Sequence, residues 1–395
     1  MQNIFLFVSS AFLFTFIFGR FLEKIRVPWI FASLVFGFIL AIYNPFSSIT
    51  DSQAFIFMAE LGMYFLLFIV GFEINLQELK EKRRFILRST FSIIFFEAFF
   101  GSLLIHFIFH YSWLISFLVS LSFASIGEII LIPLLDEFKI LKTKLGRAIV
   151  DIGVTGNIIE IFILVVVSIL IASHDPGRIY ITLSSLAVLF LLTIGFVHFK
   201  QEGEQFRFMN VDTMFIFSVF ILFLFLGIGT YANAAPLAAL LAGISLKTFM
   251  HQKRLDLVEK EVKAISYGFF APLFFLWVGA SVSVDALIAY PLVILLIVVV
   301  TKSVKIIVSY FIGKKELGKK ESILLGIGLS VKFSTSIIIT NILFQEGLIS
   351  VELYSVIISS SIIFNFVVPF LFSSLLVKWK IAKNVGIYKM FKLKI

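Results

Sequence analysis

Eight charged side chains lie in apolar sequence, where charge is expensive: Glu73, Glu97, Glu128, Asp151, Glu160, Lys302, Lys305 and Lys332. A charge at the centre of a bilayer costs roughly 3 kcal/mol or more, so each needs a partner or a task. The chemistry on offer is narrow. A carboxylate in a low-dielectric cavity binds protons more tightly than in water, so it can hold a proton or a cation but not both well. A buried lysine can neutralise that carboxylate when the cation is absent. The chain has no cysteine, which excludes disulfides, zinc–thiolate sites and thiol catalysis. Its five histidines show no metal-ligand spacing, and no nucleophile–base constellation is visible. The expectation is therefore neither an enzyme nor a cofactor protein.

The elements that must position these groups are membrane helices. Hydrophobic residues make up 60% of the chain and charged residues 14%, and apolar runs of about 20 residues are what a helix needs to cross the hydrocarbon layer. A soluble protein of this size could not hide so much apolar surface. The 51 phenylalanines are read as lipid-facing or gap-filling. The pattern predicts an all-α membrane protein with about 13 transmembrane helices, near residues 3–19, 28–43, 54–74, 86–110, 112–135, 147–173, 179–198, 211–231, 234–250, 265–284, 287–312, 321–344 and 352–377. Nearly all of the 33 basic residues then fall in alternate loops and the tail, while the other loops hold one, Arg178. That asymmetry places the N-terminus outside and the C-terminus in the cytoplasm. It also accounts for the net charge of +9 without nucleic acid. No Lys or Arg precedes the first apolar run, so that run is read as a retained helix rather than a signal peptide. Residues 378–395 read as a basic cytoplasmic tail lying on anionic lipid, too short for a soluble regulatory module.

Depth sorts the buried polar groups at about 1.5 Å per helical residue. From the inner side Asp151 lies about 6 Å in, Lys305 about 10 Å, Asn157 and Lys302 about 15 Å, Lys332 about 16 Å and Glu160 about 20 Å. Two spans read as broken, because small and hydroxylic residues at mid-depth let a helix unwind over a cavity. The fifth carries Ser122 to Glu128, including Ser125. The twelfth carries Gly326 to Ser336, including Ser330, Lys332 and Ser334. They lie seven spans apart, and an odd offset reverses direction. Residues 1–377 thus read as one transporter domain, with inverted repeats about 1–173 and 208–377, a linker helix 179–198, and two discontinuous crossing helices at a midplane ion site. Bland roles compete with this. Serines in membrane helices bond back to their own backbone. Lys305, nearer an end, is read as snorkelling. Glu73 reads as an end-of-helix charge, and Asp151 is equally a vestibule residue or a plain interfacial charge. Glu97 is a candidate partner for a lysine. Glu128, Glu160 and Lys302 are the hardest to assign a purely structural role.

Several runs resemble those of bacterial monovalent cation/proton antiporters of the second superfamily branch, within the sodium/hydrogen exchanger family. Gly71-Phe72-Glu73-Ile74-Asn75-Leu76 is similar to their "GLELDL" element. Ser125 to Leu135 resembles their "ATSEAIVLPLL" broken helix, Leu141 to Arg147 their "LLNTRLGR" loop, and Val278 to Val282 their "VGMSI". Lys302 falls where many members place a membrane lysine, and the similarity runs over residues 1–377. The departure is at Gly156-Asn157, where the family has an Asp at the second position as the group that alternates between cation and proton. Asn157 cannot titrate. Glu160, three residues on, shares its helical face and is a substitute.

The resemblance implies a secondary active antiporter exchanging Na⁺ or K⁺ for H⁺ by alternating access, as a homodimer in the bacterial inner membrane. The expected cation/proton site is Glu160, Asn157, Glu128, Ser125 and Lys302, supported by Asp151, Lys332, Ser330, Ser334 and Glu97. The rival readings are a passive cation channel or uniporter, which needs no titrating exchange, and a non-transporting membrane sensor that has lost the family aspartate.

Overall fold

A computed structural model describes residues 3–24, 27–74, 84–124, 135, 138–172, 176–198, 211–231, 233–250, 252–331 and 334–381. Among them every regular element is a helix. The longer ones are α1 (Ile4–Lys24), α2 (Phe31–Ile42), α3 (Gln53–Glu73), α4 (Arg84–Phe109), α5 (Trp113–Ala124), α6 (Lys144–Ala172), α7 (Pro176–His198), α8 (Val211–Tyr231), α9 (Ala235–Phe249) and α10 (Gln252–Ile265). They continue with α11 (Ala271–Ala280), α12 (Pro291–Gly313), α13 (Lys319–Gly328), α14 (Ser334–Gln345) and α15 (Val351–Lys378). Nine of the described helices are long and apolar enough to cross a membrane, and four shorter apolar helices accompany them. Each expected span overlaps one of these thirteen.

Local chemistry sets the helix ends. Ser52 caps α3 by accepting from Phe55 N–H at 3.3 Å, and Thr143 caps α6 by accepting from Gly146 N–H at 3.2 Å, each satisfying a first-turn donor. Pro236, Pro272 and Pro291 occupy first-turn positions of α9, α11 and α12, where the missing N–H costs nothing. Pro272 cannot continue the regular ladder from α10. The five-residue π turn Ser266–Phe270 stands immediately before it and takes up the misfit.

The helices pack as two groups. In one, α2 lies on α11, α3 on α9 and α11, and α8 and α7 on α9, with α1 against α2. In the other, α4 lies on α5 and α12, α12 on α13, α14 on α5, and α15 against α12, α13 and α14. α6 touches members of both groups, and α3 also meets α14. The first group is held by two backbone-to-backbone crossings. A Cβ on Gly37 would stand 2.2 Å from Leu276 O and 2.9 Å from the Cα of Gly279. A Cβ on Gly243 would stand 2.2 Å from Phe68 O and 2.9 Å from the Cα of Gly71. Only hydrogen fits at either crossing, and such close approach is how helices associate where lipid removes the hydrophobic drive between them.

Candidate functional site

α12 carries the charged centre of the second group. Its buried residues Ile294, Ile297, Thr301, Lys302, Lys305 and Ser309 recur at helical spacing, while Leu292, Leu295, Val299 and Ile307 on other faces are exposed to what lipid would cover. Lys302 and Lys305, three residues apart, therefore point the same way. They converge on one carboxylate, Glu97 of α4. Lys302 Nζ lies 2.7 Å from Glu97 Oε1, and Lys305 Nζ lies 2.7 Å from Glu97 Oε2. Glu97 and Lys305 are 0% exposed and Lys302 is 8% exposed. The Lys302 ammonium also sits 4.2 Å from the ring centroid of Phe364 on α15, a favourable cation–π position.

Lys305 does more than pair. Its ammonium donates to Leu329 O at 2.9 Å and to Ala124 O at 3.2 Å. Leu329 is the C-cap of α13, and Ala124 is the last residue of α5 as described. A helix C-terminus presents unpaired carbonyls equivalent to about half a negative charge. Lys305 thus neutralises an interrupted helix and carries a salt bridge with the same nitrogen. The sequence reading of Lys305 as a snorkelling residue is corrected here. The side chain is sealed by α4, α5 and α13, so its charge is satisfied by protein oxygen rather than by the interface.

The interruption of the twelfth span is present. α13 stops at Gly328 and α14 begins at Ser334. The stop is built by tightening turns, with Ser330 N–H donating to Ile327 O (3.0 Å) and Val331 N–H to Gly328 O (3.2 Å). Ser330 itself is buried, and its Oγ donates to Gly326 O at 2.7 Å, the back-bonding role open to any serine in a helix. Across the bundle, Ser122 Oγ of α5 and Thr340 Oγ1 of α14 lie 3.2 Å apart, tying the two helices together.

Asn157 is buried on α6, with Asp151 six residues earlier and partly exposed. The Asp151 carbonyl accepts from Thr155 Oγ1 at 2.6 Å. The α6 backbone continues unbroken through position 160. The side chains of Glu160, Ser334 and Glu73, and the whole of Ser125, Glu128 and Lys332, lie outside the described residues, as does the expected unwinding at Ser125.

The sequence reading missed Lys305, Thr340 and Phe364 as site neighbours, and the carbonyls of Ala124 and Leu329. The signal for Lys305 was its three-residue spacing from Lys302, which puts both lysines on one face of the helix. The carbonyls carry no sequence signal at all.

Among the described residues the bundle is all-helical, and an interrupted helix within an apolar helical bundle is a feature shared with ion-coupled membrane transporters. The sodium/hydrogen exchanger transmembrane profile matches residues 8–378, and the chain belongs to that family. It is 25% identical over 361 residues to the probable Na⁺/H⁺ antiporter 3 of Methanocaldococcus jannaschii, covering 90% of this chain and 92% of that one. It is 26% identical over 301 residues to the putative Na⁺/H⁺ antiporter YjbQ of Bacillus subtilis, covering 70% of this chain and 48% of the relative. It is 25% identical over 277 residues to the glutathione-regulated potassium-efflux protein KefC of Enterobacter sp., covering 67% of this chain and 44% of that one. The chain thus spans less than half of those last two relatives. Its fold is similar to that of the sodium proton antiporter MjNhaP1 of Methanocaldococcus jannaschii, with a TM-score of 0.66 and 14% identity over 94% of this chain and 98% of the other. The chain is a multi-pass membrane protein of a transporter family.

Proposed function

We propose that this protein exchanges a monovalent cation, Na⁺ or K⁺, for protons by alternating access, with Glu160 as the group that alternates between cation and proton. The observation that carries this reading is that two buried lysines of the described centre converge on one carboxylate. Lys302 and Lys305 supply two positive charges, and Glu97 supplies one negative charge to both. The α13 end and the α5 carbonyl absorb much of the remainder. Glu97 is committed to holding two ammonium groups in place, so the carboxylate that binds cargo must come from another residue. α6 is the helix that touches both packing groups, and Glu160 shares a helical face with the buried Asn157. Glu128, in the expected break of the fifth span, is the competing carboxylate.

Alternating access is then a movement of the α4/α5/α12–α15 group against the α2/α3/α9/α11 group. The paired crossings α2–α11 and α3–α9 favour an inverted repeat, because a seven-span offset exchanges one crossing for the other. We assign Ser125, Ser330, Ser334 and Lys332 supporting roles at that site, with Asp151 on the approach from the cytoplasm. We place the protein as a homodimer in the inner membrane of a bacterial cell, with its N-terminus outside and its tail in the cytoplasm.

The test uses proteoliposomes with an internal pH-sensitive dye, adding Na⁺ or K⁺ in turn. The expected result is cation-driven proton movement that Glu160→Gln abolishes. Movement that survives Glu160→Gln and is lost in Glu128→Gln moves the carrier role to Glu128. Cation flux without proton movement in the unmodified protein replaces the exchanger by a channel.

A further inference from the structure

At one end of the bundle the two packing groups are joined through α15 and the last turn of α11. α11 stops at Ala280. Beyond it Ser281 N–H donates to Trp277 O (3.0 Å) and Val282 N–H donates to Gly279 O (3.3 Å). In a continuing helix Val282 N–H would serve Val278 O, four residues back, so the tightened turn leaves the Val278 carbonyl without that donor. Tyr354 supplies the replacement. Its hydroxyl donates to Val278 O at 3.0 Å, and the side chain is fully buried. The hydroxyl also lies 3.4 Å from Asn341 Oδ1, and the ring stacks on Phe344 with centroids 4.4 Å apart. Beside it, Ser355 Oγ accepts from Ser283 N–H at 2.8 Å, and Ser283 caps the short helix Val284–Ala289. Tyr354, Ser355, Asn341 and Phe344 belong to α14 and α15, whereas Val278 belongs to α11 in the other group.

We propose that Tyr354 is a gating residue, whose hydroxyl on the Val278 carbonyl latches the two packing groups together at the end the charge asymmetry assigns to the outside. The proposal rests on the alternating-access reading. A displacement of one group by a few ångströms breaks a 3.0 Å hydrogen bond, and the Val278 carbonyl has no helical donor to fall back on. While the seam is dry the bond is worth making. Once the seam opens, water satisfies both atoms. One net hydrogen bond therefore biases the balance without locking it. Phe344 holds the ring on its face, so Tyr354→Phe removes the hydroxyl and leaves the packing.

The chain has no cysteine, so a single Val282→Cys in the full-length protein reports alone. Val282 is buried at this seam. In detergent solution, where both ends are accessible, Tyr354→Phe is expected to raise the rate of labelling by a hydrophilic maleimide about fivefold, the effect of losing one buried hydrogen bond. Ser355→Ala, which removes the neighbouring bond, is expected to raise it in the same direction and serves if Tyr354→Phe does not fold. In proteoliposomes Tyr354→Phe is expected to lower the outer-face KM for the cation by a similar factor, because more of the protein is open to that side. Unchanged labelling in the folded variants, even with a lowered melting temperature, overturns the latch and leaves Tyr354 structural. Labelling needs no transport. A labelling response in a protein that moves no protons retires the exchange reading and keeps the gate, whereas exchange with unchanged labelling retires the gate alone.

Discussion

Replacing Glu97 with Gln removes one negative charge from between two buried ammonium groups and changes the side chain's shape very little. At 2.7 Å and an effective dielectric constant of about 20, each contact carries roughly 6 kcal/mol of attraction. The two together set an upper bound of about 12 kcal/mol before desolvation is subtracted. The protein has a cheaper response. A lysine that has lost its anion can release its proton, and from a reference value near 10.4 to pH 7 this costs about 4.6 kcal/mol. The expected destabilisation is thus about 4 kcal/mol, within the range of roughly 3–5 kcal/mol for breaking a buried pair from one side. The assay is thermal unfolding of purified protein in detergent, read by loss of the monodisperse peak. Glu97→Gln should melt many degrees lower, and the double variant Glu97→Gln/Lys302→Met should recover part of the loss, because it removes one of the stranded charges. A Glu97→Gln melting temperature equal to that of the unmodified protein would refute the reasoning, since a carboxylate holding two ammonium groups in a dry site cannot be dispensable.

Lys305→Met should lower both stability and exchange more than Lys302→Met. Each variant leaves one lysine on Glu97, but the first also strands the Ala124 and Leu329 carbonyls that only Lys305 serves among these two lysines. The two melting temperatures and exchange rates, compared side by side, decide this. Gly243→Val should abolish recovery of folded protein in size-exclusion chromatography, because its first carbon would meet Phe68 O at 2.2 Å. Gly195→Ala, with nothing within 4 Å of the added carbon, should be recovered normally. A reporter active only in the cytoplasm and fused after Lys392 should give signal, and a silent, well-expressed fusion would reverse the topology.

Much of this protein was readable from its residues because the bilayer admits so few solutions. With no water in the hydrocarbon layer to satisfy backbone groups, apolar runs of 20 residues must be helices, and basic loops must alternate. The sequence alone thus determined the helical class, the position of each apolar element, the interruption between Gly328 and Ser334, and the short list of intramembrane charges. It could not decide which charges meet. Glu97 and Glu160 were both mid-membrane anions available to Lys302, and the packing of α4 against α12 set the partner. Nor could it find that Lys305 neutralises an interrupted helix, because Ala124 O and Leu329 O are backbone atoms, common to every residue type and freed only where a helix stops. The Tyr354–Val278 bond is of the same kind, joining residues 76 apart in the chain through a carbonyl that a tightened turn left open. Hydropathy and charge are properties of residues and act against solvent, so they are legible one segment at a time. Partnership between a buried ion and a helix end is a property of two segments brought together, and it exists only once the helices have packed.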